Sequence, residues 1–162
     1  MSSKTLLAMT VMGFFAAQAQ AEAGRDYVVP DNYDAASSPP FSNGLGVGGT
    51  FYVSGHLGLD PATGHPGADP ETEAHLLLDA VKSTLAKGGL QMDDMVSVTI
   101  YCTDIALYDK FNAVYRTYFH GHFPTRAFIG VSQLVRGAHF EMAGIAVKPA
   151  PLKAKAVAKA GT

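Results

Sequence analysis

A chain of 162 residues, 48% hydrophobic and 16% charged, is long enough for one domain with a buried core, too short for two, and too apolar to be disordered. Its single cysteine, Cys102, excludes an internal disulfide, a multi-cysteine metal site and a CxxC redox pair. The net charge of −2 hides an acidic body: residues 22–147 hold all fourteen Asp and Glu but seven of the twelve Lys and Arg, a net of −7, which argues against nucleic acid as a partner.

In chain order, residues 1–21 carry Lys4, a mostly apolar run over residues 6–17, and the small-residue stretch Ala17-Gln18-Ala19-Gln20-Ala21. A positive start, an apolar centre and an A-x-A site predict a signal peptide cut after Ala21, and hence export to the periplasm or beyond. The apolar run falls short of the roughly 20 residues a spanning helix needs, so no membrane association is expected after cleavage. A lone Cys102 suits an oxidising compartment, because no second thiol exists to mispair with it in the chain.

Residues 22–38, with Pro30, Asp31, Asn32, Ser37 and Ser38 and no apolar period, read as an extended lead-in. Two short β-favouring runs, residues 45–47 and 50–53, flank Gly48-Gly49, a hairpin signal because tight hairpin turns need positive φ. Residues 60–69, with two prolines and two glycines, form a loop. A helix then begins: Asp69 caps it, Pro70 fits its first position, and Glu71 and Glu73 complement the helix dipole. Ala74, Leu77, Leu78, Val81 and Leu85 make its apolar stripe, and Gly88-Gly89 stops it.

Residues 96–103 alternate strictly, with Val96, Val98, Ile100 and Cys102 on one face of a half-buried strand. Asp104 can cap a second helix with a stripe of Tyr108, Phe111, Val114, Tyr115 and Tyr118, ended by Phe123-Pro124. Two strands follow, residues 126–133 and 138–147, joined across Arg136-Gly137. Residues 148–162, mostly Lys, Ala, Pro and Gly, read as a disordered tail. The order is β-β-α-β-α-β-β: an α+β fold in which two helices cover one face of a mixed sheet.

Five segments in this order resemble the RidA (YjgF) imine/enamine deaminase family: Pro40-Phe41-Ser42-Asn43, Phe51-Tyr52-Val53-Ser54-Gly55, Phe111-Asn112-Ala113-Val114-Tyr115, Phe123-Pro124-Thr125-Arg126, and Glu141-Met142-Ala143-Gly144-Ile145-Ala146-Val147. The similarity spans residues 39–147. It implies a chorismate-mutase-like subunit in a homotrimer with a cleft at each interface. Its implied activity is hydrolysis of 2-imino or enamino acids to 2-keto acids and ammonia, with no metal or organic cofactor.

A 2-imino acid offers a carboxylate and an electrophilic C=N carbon. Arg126 suits the carboxylate, since a guanidinium pairs with it bidentately and stays charged at any working pH. Imines hydrolyse unaided, so positioning substrate and water against fixed donors is enough to accelerate the reaction. By resemblance Ser54, Gly55 and Asn112 line the cleft with Arg126. The sequence departs from the family pattern at three positions. Phe41 stands where a tyrosine is usual, Phe128 where a small residue is common, and Ala143 where a glutamate positions the attacking water. Glu141 shares a strand face with Ala143, and either it or a backbone carbonyl is the candidate to take over that catalytic role. The competing reading is a non-catalytic member that binds small carboxylates; ribonuclease activity is disfavoured by the acidic body. His120-Gly121-His122 lacks a third nearby ligand and reads as a polar turn.

Overall fold

The computed structural model describes residues 24–149. The signal-peptide reading of residues 1–21 and the tail from residue 150 onward lie outside the described residues. The described residues form one six-stranded sheet in the order β1-β2-β3-β6-β4-β5 with two α-helices. The strands are β1 (Arg25–Val28), β2 (Gly44–Val47), β3 (Thr50–Leu57), β4 (Met95–Cys102), β5 (Thr125–Gly130) and β6 (Phe140–Val147). The helices are α1 (Pro70–Lys87) and α2 (Tyr108–Arg116). The predicted α+β arrangement is present, with one addition: β1, inside the expected lead-in, pairs antiparallel with β2 along the sheet edge. Four residues with no apolar period carry no signal of their own, and the exposed edge of β2 is what orders them.

The β2–β3 turn is the predicted one, with Gly48 and Gly49 at φ +56 and +87 between paired Val47 and Thr50. At the start of α1 the Asp69 carboxylate accepts from the N–H groups of Glu71 and Thr72 at 2.9 and 3.0 Å, and Gly89 at φ +74 lies just past the C-cap, Gly88. Ala74, Leu77, Leu78, Val81 and Leu85 are fully buried against Phe51, Val98, Ile100 and Met142 of the sheet, in one core. Each such leucine contributes roughly 1.5–3 kcal/mol.

Two strands depart from regular pairing. In β4 the register slips between Met95 and Ser97, so Val96 is extruded and exposed while Met95 takes the core position that strict alternation assigned to Val96. In β3 Val53 faces Gly144 and His56 faces Met142, so Ser54 and Gly55 together oppose the single residue Ala143. This β-bulge bends the strand and re-aims its side chains.

Tyr108 follows a short 3-10 turn, Ile105–Leu107, capped by Asp104. The helix α2 ends at Arg116, earlier than Phe123-Pro124 suggests, with the Thr117 hydroxyl donating back to the Val114 carbonyl at 2.7 Å. Its crossover lets β5 run parallel to β4. The last two strands do not pair with each other: β6 inserts between β3 and β4, and the link passes through Arg136 and Gly137 at φ +59 and +72. The helices cover one sheet face. The other face presents Tyr52, Thr99, Tyr101, Ala127, Ile129, Glu141, Ala143 and Ile145, none of them buried.

Candidate functional site

Arg126 is the second residue of β5 and sits beside Val98, a core-facing residue of β4, so its side chain rises on the helix side of the sheet. There its Nη2 donates to the Asn112 Oδ1 of α2 at 2.7 Å and lies 3.5 Å from the Tyr108 hydroxyl. The guanidinium carbon stands 4.7 Å from the ring centre of Tyr115, 5.7 Å from Tyr108 and 5.8 Å from Phe128. Aromatic faces attract a guanidinium while leaving the N–H groups on its rim free for an acceptor. The helical spacing of Tyr108, Asn112 and Tyr115 puts all three on one side of α2, toward β5.

These residues line a cleft of about 200 Å³, with Arg116, Phe123 and Pro124 completing the wall. Its lining holds two guanidinium groups and no carboxylate. The Tyr115 hydroxyl is buried with no hydrogen-bond partner among the described residues, and burial pushes its pKa up to about 12 although Arg126 pulls it down. Phe128, standing where a small residue is common in the family, packs edge-on against Tyr108 at 5.0 Å and Phe111 at 5.7 Å, bracing the wall behind Arg126.

The remaining predicted residues form a second group. Gly55, at the β3 bulge, lies directly under the Glu141 carboxylate: a Cβ there would collide with Oε1 and come within 3.0 Å of Cδ. Glu141 makes no hydrogen bond or ion pair to any described residue. It faces away from the helices, beside Ala143 on the open side of the sheet, so strand periodicity is right about their shared face. Ser54 turns its hydroxyl to the Asn43 carbonyl at 3.1 Å, and Phe41 is 55% exposed in the segment before β2.

The bulge is held from behind. The ring of His56 donates from Nδ1 to the Ser54 carbonyl at 2.7 Å, which leaves Nε2 to accept from the Thr84 hydroxyl of α1 at 2.8 Å. Burial lowers the pKa of His56, partly offset by the Ser54 carbonyl, and favours the neutral ring that this pattern requires. A histidine following Ser-Gly in an alternating strand gives no hint of this role, because the bulge that places it is a tertiary feature.

Within one chain the two groups do not meet. Arg126, Asn112 and Phe128 lie on the helix side at the β5 edge, while Gly55 and Glu141 lie on the open face, with β4 and β6 between β5 and β3. Tyr108, Tyr115 and Arg116 are cleft residues that periodicity alone assigns to an apolar stripe or to an ordinary helix end. The signal available for them is their three- or four-residue spacing from Asn112 on the helix. The His120 side chain lies 3.5 Å from Asp93, whose carboxylate accepts the His120 N–H at 2.9 Å, consistent with a polar turn.

Known proteins share this chain's sequence pattern and fold. A 2-iminobutanoate/2-iminopropanoate deaminase of Mus musculus is 36% identical over 121 residues, covering 74% of this chain and 89% of the relative. The YjgF gene product of Escherichia coli superposes with a TM-score of 0.68 at 29% identity, over 76% of this chain and 99% of that one. The structure of Escherichia coli TdcF with bound serine gives 0.69 at 27% identity, over 76% and 100%. The family model described as Endoribonuclease L-PSP matches residues 33–148, more than two-thirds of the chain, and with these relatives it shows that the chain belongs to the RidA (YjgF) family.

Proposed function

We propose that this protein hydrolyses 2-imino and enamino acids to 2-keto acids and ammonia, holding the substrate carboxylate on Arg126. The observation that carries the proposal is a guanidinium fixed by Asn112 and three aromatic rings in a cleft without a competing acid. Relatives bearing the name 2-iminobutanoate/2-iminopropanoate deaminase, and a relative crystallised with serine, support the same substrate class. The word endoribonuclease in the family description finds no support in a body of net charge −7.

In the reaction, a water oxygen adds to the C=N carbon as one water proton passes to nitrogen, and the tetrahedral adduct then gives its hydroxyl proton to nitrogen and expels ammonia as C=O forms. Arg126 orients the carboxylate and withdraws charge from the adjacent carbon, while Glu141 is the carboxylate able to take the water proton. Because Glu141 and Arg126 stand on opposite sides of the sheet, a complete site needs Glu141 and Gly55 of one copy beside Arg126 of another. The open sheet face, carrying Tyr52, Ile129 and Ile145, supports burial between copies, and we assign a homotrimer with interfacial sites. Export is proposed on the three-part pattern of residues 1–21.

The test generates short-lived 2-imino acids with an amino-acid oxidase and follows their loss with wild type and Arg126→Ala. Faster loss that vanishes in the variant is the expected result. No acceleration with small, branched or aromatic imines would leave the second reading, a non-catalytic carboxylate binder. One observation favours that alternative: Ala143 occupies the position opposite the Ser54-Gly55 bulge without a carboxylate of its own.

A further inference from the structure

Arg116 ends α2 one turn beyond Asn112, and its guanidinium carbon lies 5.6 Å above the ring centre of Phe123. It lines the same cleft of about 200 Å³ as Arg126. Among the described residues neither arginine has an acidic partner within ion-pair distance, although that region is strongly acidic overall. Both are held by aromatic faces instead, which leaves rim N–H groups on each without a protein acceptor. Two like charges lining one small cleft repel each other, and a single carboxylate on Arg126 leaves the second charge unmatched. The arrangement is complementary to a ligand carrying two negative groups.

We propose that the preferred substrate is a dicarboxylic 2-imino acid, with its α-carboxylate on Arg126 and its distal carboxylate on Arg116. The inference rests on the deaminase reading for its chemistry, and it adds the substrate class and a specificity-determining residue. Tyr115 carries the Arg126 guanidinium and Phe123 that of Arg116, and the two rings stack at 6.2 Å, so a carbon chain joining the two carboxylates has aromatic surface to run along. The distal carboxylate takes no part in bond making. It adds charge-assisted hydrogen bonds in ground and transition states alike, so it acts mainly through KM.

The experiment compares two five-carbon substrates generated in place, 2-iminoglutarate and 2-iminopentanoate, which differ by the distal carboxylate. Wild type is expected to favour the dicarboxylate by roughly tenfold to a hundredfold in kcat/KM, as a charged hydrogen-bonding pair predicts. In Arg116→Gln the ratio falls close to one, and raising the salt concentration narrows it in wild type. A ratio near one in wild type, or one that survives in Arg116→Gln, overturns the proposal. If neither imine is consumed, the deaminase reading fails by itself. Calorimetric titration with glutarate and pentanoate then decides the inference. Tighter glutarate binding that depends on Arg116 sustains it, and equal binding of the two ligands overturns it.

Discussion

Replacing Glu73 with leucine isolates the largest buried polar interaction in the described fold. Glu73 belongs to the first turn of α1 and is fully buried, and its Oε1 accepts from the N–H groups of His139 at 2.6 Å and Phe140 at 2.9 Å. Its Oε2 lies 2.7 Å from Nδ1 of His139. One carboxylate thereby ties the start of the helix to the start of the central strand β6. The glycines 58 and 67 pack so tightly on the Glu73 backbone that a Cβ at either would overlap it, so this part of the helix has no room to retreat. Leucine fills similar space but leaves two N–H groups without an acceptor, at about 1–3 kcal/mol each. Relief from burying the carboxylate offsets part of that, for a net loss of roughly 3–4 kcal/mol. At about 2–4 °C per kcal/mol for a chain of this size, Tm falls by roughly 10 °C. Glu73→Gln keeps an oxygen for both N–H groups and loses about 1 kcal/mol. Urea melts of the three proteins at one fixed concentration supply the comparison, since assembly also adds to apparent stability. A leucine variant within about 1 kcal/mol of wild type, or a glutamine variant as damaged as leucine, would refute the reasoning.

The bulge gives two more expected outcomes. His56 has its pKa lowered below the usual 6.5 by burial, so below that pH the unfolded chain binds a proton that the folded one resists. Its contribution to stability is complete above pH 6.5 and declines as pH falls toward the folded value. His56→Gln removes that part of the acid slope, which unfolding titrations between about pH 7 and 5 detect. Gly55→Ala forces the Glu141 side chain aside, yet the group displaced is the free end of a flexible chain. Stability should therefore change by less than about 1 kcal/mol. Imine turnover should drop to the level of Glu141→Gln if that carboxylate takes the water proton, and full activity in both variants would remove Glu141 from the mechanism.

What the chain's local chemistry determines here is considerable. The Asp69 cap, the Leu77-Leu78-Val81-Leu85 stripe and the Gly48-Gly49 turn each depend on residues within a few positions of one another, and each stands where periodicity and capping rules put it. Arg126 and Asn112, singled out by resemblance, are hydrogen-bonded. Other features depend on partners distant in sequence. β1 exists because β2 offers an edge, and Val96 leaves the core because of how β4 registers against β6. The Ser54-Gly55 bulge is set by β6, far later in the chain, and by His56 reaching Thr84. Arg116 is invisible as a site residue in the sequence because an arginine at a helix end is ordinarily explained by the helix dipole. Only the packing of β5 beside α2 brings it to a cleft shared with Arg126. The two charges would stand roughly 35 Å apart in an extended chain, and nothing in the residues between them states that they will meet across one cleft. Local rules act through bonds a few residues long, whereas register and charge proximity are set by long-range pairing, and the chain acquires those only on folding.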